Sequence, residues 1–69
     1  MINTELLRQK IDESGYKLSY IAKQIGISPK SLLKRINNEA EFRVTEIEGL
    51  RILLHLSTEE CVQIFFAGV

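Results

Sequence analysis

The sequence predicts an all-α chain, a compact bundle of five short helices, and three observations carry that reading. Apolar residues recur at helical spacing in five stretches, no period-2 alternation persists anywhere, and helix-start signals separate the stretches. The first helix is read from about Asn3 to Ser14, with Leu7 and Ile11 turned inward and Gly15 in the left-handed position that ends many helices. The second covers about Leu18 to Ile25. There Leu18, Ile21, Ala22 and Ile25 form one apolar stripe, and Gly26 breaks it.

The third helix has the sharpest start. Ser28 is an N-cap, Pro29 fills the first helical position where its missing N–H is harmless, and Ile27 can staple onto Leu32 across the cap. It ends at Asn37 and Asn38, residues that tolerate a left-handed stop. After a loop with Glu41 and Phe42, Thr45 and Glu48 are read as a capping box opening a fourth helix that runs to about His55. Ser57 and Glu60 are read as another, opening the fifth.

Size and composition narrow the function classes. The chain of 69 residues reads as one domain over 1–69, near the lower limit for a fold held by a hydrophobic core alone. Its residues are 45% hydrophobic but only 7% aromatic, so the core is expected to be mostly Leu and Ile. The single Cys61 has no second thiol for a disulfide or a metal site, which suits a reducing compartment. Glu5 and Arg8 interrupt any signal-peptide pattern, and no apolar run approaches ~20 residues. A cytoplasmic protein with no membrane partner is the expectation.

Charge is unevenly placed. The formal net charge is zero, yet residues 1–38 hold seven Lys or Arg against three acids, and residues 39–69 hold two against six. Residues 15–38 carry five basic side chains and no acidic one. A pI near 6.6 argues against indiscriminate nucleic-acid binding. Position within the third helix gives the asymmetry a purpose. Leu32 and Ile36 point to the core, whereas Lys30, Leu33, Lys34 and Asn37 recur at i, i+3, i+4 and i+7 and share the outward stripe.

The short break at Gly26 and Ile27 implies a sharp bend between the second and third helices, a helix-turn-helix unit over about 18–37. Two lysines, an amide and an exposed leucine suit the DNA major groove. Lys donates to guanine or phosphate, Asn pairs with adenine, and Leu touches a thymine methyl. Free N–H groups near Ser28 and Lys30 suit phosphate.

Gly15, "IAKQIGIS" at 21–28 and "SLLKRINN" at 31–38 together resemble the Cro/repressor (XRE-type) helix-turn-helix family. The short length, "EF" at 41–42 and the final "IFFAG" are similar to the small Cro-like regulators of phages and prophages of Gram-positive bacteria. The resemblance covers nearly the whole chain. It implies a lambda-repressor-like five-helix fold that binds a double-stranded DNA operator, usually as a homodimer, without a cofactor. It places base contacts on Pro29, Lys30, Leu33 and Lys34, with Ser28 near phosphate. Two positions depart from the pattern. Lys17 and Leu18 stand where the family has a polar cap followed by Gln, so Lys17 replaces that phosphate contact by charge alone. Pro29 has no polar group for a base.

Other chemistry-bearing residues have plain explanations. His55 stands alone near a helix end, without the partners that catalysis or metal binding needs. Cys61 keeps phase with Ile64 and Phe65 as a small core residue. Glu46, Glu48, Glu59 and Glu60 all fall in first turns, where caps and helix dipoles account for them. No catalytic set is present, so an enzyme is not expected. Ile47, Leu50, Ile52, Leu53, Leu54 and Leu56 are too many for one helix face. The surplus suggests a dimer interface of Leu53, Leu56, Phe65, Phe66 and Val69, centred on Phe66. Two functions follow: an operator-binding transcription regulator, and an antirepressor that occupies a partner repressor protein through acidic residues 39–60.

Overall fold

Each predicted helix forms in the computed structural model, which describes residues 1–67. The order is α1 (Thr4–Ser14), α2 (Leu18–Ile25), α3 (Pro29–Ile36), α4 (Val44–Leu53) and α5 (Thr58–Phe65), with no strand among the described residues. Local chemistry sets most ends. Asn3 caps α1 by accepting the Leu6 N–H at 3.1 Å, and Gly15 closes it at φ 74°. Gly26 closes α2 at φ 81°, and the Ile27 N–H returns to the Ala22 carbonyl at 3.0 Å. Both glycines occupy left-handed backbone that other residues reach only at a cost. Ser28 caps α3 through the Ser31 N–H, and a reciprocal box of Ser57 and Glu60 opens α5.

The start of α4 corrects the expectation. Thr45 lies inside the first turn and Glu48 does not reach back to it; Glu48 bonds to Arg51. Instead Glu46 Oε1 accepts the Arg43 N–H at 3.0 Å, and Arg35 Nε donates to the same oxygen at 2.9 Å. A Thr-x-x-Glu pattern identifies a cap only if no other carboxylate competes. Here Glu46 is held in place by α3.

The end of α4 also differs from the sequence reading. The helix stops at Leu53, and His55 turns left-handed at φ 54°, with the Leu56 N–H bonded back to the Arg51 carbonyl at 2.9 Å. The reversal takes Leu54 and Leu56 out of helical phase, so both enter the core although they are two residues apart. Leu56 is 5% exposed and therefore unavailable as a dimer contact. Phe65 is 7% exposed and meets Phe42 edge-on with ring centroids 5.5 Å apart, so it too belongs to the chain's own core.

The core gathers around α2, which packs against both α3 and α4. Ile21, Ala22, Leu32, Ile36 and Leu50 are fully buried there. Close approach of α2 and α4 depends on Gly49. A Cβ at that position would stand 2.9 Å from Ile25 Cγ2 and 3.5 Å from Ile25 Cβ. A β-branched side chain in a helix has little rotamer freedom with which to move aside.

Residues 2–4 thread between the ends of α3 and α5. Asn38, left-handed at φ 62°, accepts the Ile2 N–H at 2.8 Å and donates to the Ile2 carbonyl at 3.2 Å and to Thr4 Oγ1 at 3.1 Å. Thr4 Oγ1 donates to the Ile36 carbonyl at 2.6 Å, and the Asn3 N–H bonds to the Ile64 carbonyl at 2.7 Å. At the opposite end of α1, Lys10 pairs with Glu60 of α5.

Two measurements test this packing. Gly49→Ala gains roughly 1 kcal/mol of helix propensity, but overpacking against Ile25 costs roughly 1–3 kcal/mol. Its melting temperature should therefore fall in the parent and rise in an Ile25→Ala background; equal shifts in both would refute the close contact. The second concerns acid. Lys10 donates to Glu60, and together with the Ser57 N–H it holds the Glu60 carboxyl at about 2. An unfolded Glu titrates near ~4.3. The pair's contribution is thus complete above ~4.3 and lost as pH falls toward the folded value. Glu60→Gln keeps the capping acceptor and removes the charge. Its thermal deficit should be present at neutral pH and vanish near pH ~2.

Candidate nucleic-acid interface

α3 separates its two faces cleanly. Leu32 and Ile36 have no exposure, while Lys30, Leu33, Lys34 and Asn37 are all exposed, Leu33 to 39%. The bend that presents α3 is the Gly26–Ile27 turn, and a buried Ala22 allows α2 to lie against it. Pro29 is exposed at the first helical position, as its fixed φ and missing N–H favour. Ser28 is exposed as well, but its Oγ accepts the Ser31 N–H and bonds to Ser31 Oγ at 3.0 Å. That oxygen is committed to the cap. Lys17 sits apart from this group, at the far end of α2, where it is the N-cap residue without a side-chain cap bond. Tyr16 and Tyr20 flank it with ring centroids 5.0 Å apart.

Electrostatics distinguish the basic residues. Arg35 is tied to Glu46, which is only 4% exposed, and its Nη1 donates to the Ser31 carbonyl at 3.2 Å. It belongs to the α3–α4 contact rather than to the surface. Lys17, Lys23, Lys30 and Lys34 make no ion pair among the described residues. Four of the nine acids are engaged: Glu46 with Arg35, Glu48 with Arg51, and Glu13 and Glu60 with Lys10. Lys10 is pushed up by its bond to Glu60, and Arg51 holds the Glu48 carboxyl below its ordinary value. α2 and α3 contain no acid of their own, so the charge of Lys23, Lys30 and Lys34 has no partner on either helix.

One neighbour of this face has no local signal in the sequence. Arg8 of α1 donates from Nη2 to Asn37 Oδ1 at 2.7 Å, across a separation of 29 residues. Asn37 is exposed at the C-terminal end of α3, so the guanidinium lies at the edge of the same stripe.

The apolar residues expected at a dimer contact are dispersed. Phe66 is 51% exposed, as its position off the Cys61–Ile64–Phe65 stripe suggests, and Leu53 is half-buried against the core. Val69 lies outside the described residues. Val44, which the helical pattern does not single out, is exposed to 83% and lines, with Met1, Glu41, Phe42, Ile47 and Phe66, a groove of about 360 Å³. Cys61 is buried, and desolvation pushes its thiol up, away from reactivity. His55 is exposed at the α4 reversal. Among the described residues no cluster of His, Cys, Asp or Glu could hold a metal ion, and no helix is long and apolar enough to cross a membrane.

No family model, curated protein or solved structure matches the chain. The likeness to Cro-type regulators therefore rests on the quoted residues alone.

The ion pair of Arg35 yields a prediction that separates structure from surface. Arg35→Ala leaves a buried carboxylate without its charged partner, a loss of roughly 1.5–3 kcal/mol. Thermal unfolding should show that loss. If the lysine face binds DNA, the salt dependence of that binding, measured well below the melting temperature, should not change. A fall in salt slope with an unchanged melting temperature would make Arg35 a DNA contact.

Proposed function

We propose that this chain is a sequence-specific DNA-binding transcription regulator of the Cro-like repressor type, acting in the bacterial cytoplasm and reading the major groove with α3. The observation that carries the reading is the outward stripe of that helix. Lys30, Leu33, Lys34 and Asn37 are exposed together, no acid pairs with the two lysines, and the opposite face is wholly buried. A helix of eight residues is roughly 12 Å long, a length that fits within the major groove. Pro29 and Leu33 supply apolar contact, the lysines supply charge to guanine or phosphate, and Lys17 adds a second cation from α2.

Affinity follows from the salt term. Each phosphate neutralised by a lysine contributes about 0.9 to the slope of log K against log salt. Replacing Lys30 and Lys34 together by Ala should lower that slope by roughly one to two and weaken binding markedly. The melting temperature should hardly move, because neither lysine has a partner in the fold. Binding equal to the parent's would remove α3 as the reading helix.

One copy is too small to occupy two grooves. Its longest extent is 28 Å, and successive major grooves on one face of DNA lie about 34 Å apart. A palindromic operator therefore calls for a homodimer. Phe66 and the neighbouring Val44 are the exposed apolar residues best placed to hold it, since Leu56 and Phe65 are buried internally. Phe66→Asp should remain folded, sediment as a monomer at micromolar concentration and bind its site far more weakly. A wild-type monomer under those conditions would redirect the groove to a different protein. That outcome favours the second reading, an antirepressor that contacts a repressor through the apolar groove and its Glu41.

A further inference from the structure

Arg8 is an exposed cation on α1 whose side chain is engaged by the outward face of α3. Its Nη2 donates to Asn37 Oδ1 at 2.7 Å. Its nearest acids along the helix, Glu5 and Asp12, make no ion pair with it among the described residues. The guanidinium therefore keeps its full charge, and most of its five N–H donors, beside the last residue of the α3 stripe.

The contact also decides what Asn37 can present. A guanidinium only donates, so the amide atom facing it has to be the oxygen. Reading adenine requires that oxygen to accept from N6 while the amide nitrogen donates to N7. The guanidinium takes one of the two lone pairs of Oδ1 and fixes which amide atom faces Arg8, so that Nδ2 is the group with its hydrogens free to donate. Position supplies the rest. Asn37 caps the C-terminal end of α3, the negative end of the helix dipole, where a phosphate would be repelled unless a cation stood beside it.

We propose that Arg8 and Asn37 form one phosphate-contacting unit at the C-terminal end of α3, in which Arg8 bears the charge and fixes Asn37 as a donor. The unit extends the interface from α3 onto α1 and removes Asn37 from base reading. It rests on the DNA-binding reading above, and its test separates the two.

The probe is a mixed-sequence duplex of about 30 base pairs, titrated by fluorescence anisotropy over a range of NaCl concentrations. Arg8→Gln should lower the salt slope by about 0.9, the value for one phosphate. Asn37→Ala should weaken binding in the parent and have much less effect in the Arg8→Gln background. Arg8→Lys should keep the slope while losing that coupling, and it serves as the charge-matched control for folding. Duplexes selected from a random pool should give the same consensus for the parent and for Asn37→Ala. An unchanged slope for Arg8→Gln, where Lys30→Ala with Lys34→Ala lowers it, overturns the unit and leaves the DNA reading standing. A changed consensus at one adenine with Asn37→Ala overturns the donor assignment. A parent without salt-dependent binding overturns both.

Discussion

Burial of α2 between two neighbours is the constraint on which the rest of the structure depends. A helix of eight residues has little stability of its own in water, so it persists only because tertiary contacts cover it. Two small residues make that possible. Ala22 is fully buried in α2, which packs against α3 and α4, and Gly49 leaves α4 room beside Ile25. A larger side chain at either site would push α2 away from a neighbour. The outward aim of α3 would change with it, because only the Gly26–Ile27 turn connects the two helices. The surface that α3 presents is thus set by the volume of buried residues behind it.

Charge follows from the same packing. Arg35 of α3 reaches Glu46 of α4 once both helices pack on α2, and bringing α1 against α5 places Lys10 beside Glu60. Each pair consumes one cation and one anion that composition alone would assign to opposite faces. The pairs hold helices together, and what they leave over has one sign on the outer side of α2 and α3. A chain of zero net charge can in this way present a positive helix without an excess of basic residues.

The N-terminal segment ties the ends of three helices. Asn38 performs two tasks there, ending α3 in a left-handed turn and clasping Ile2 through its amide. Short polar side chains suit both tasks, since Asn tolerates positive φ and carries a donor and an acceptor on one planar group. With the Asn3 N–H bonded to α5 and Thr4 bonded to the end of α3, α1 is held at its start by backbone-directed bonds and farther along by the Lys10 pair. That placement sets Arg8 beside Asn37.

By itself the sequence determined the five helices, the caps at Ser28 and Ser57, the glycine stops at positions 15 and 26, and the inner and outer faces of α3. All of these are local, arising from bonds and periodicities within one helical turn or two, so the residues that decide them are neighbours in the chain. Only the tertiary structure decided which Glu opens α4, where α4 ends, and which apolar residues remain outside. Thr45 and Glu48 have the spacing of a capping box, yet Arg35, eleven positions from Glu46, determines that Glu46 makes the bond. Helical phase carried through His55 makes Leu56 surplus, whereas the left-handed turn at His55 resets that phase and buries the leucine. Arg8 and Asn37 meet across 29 residues, and Gly49 matters only because Ile25 stands opposite. In each case the energy comes from a contact between distant segments, and no local pattern records where a distant segment will pack.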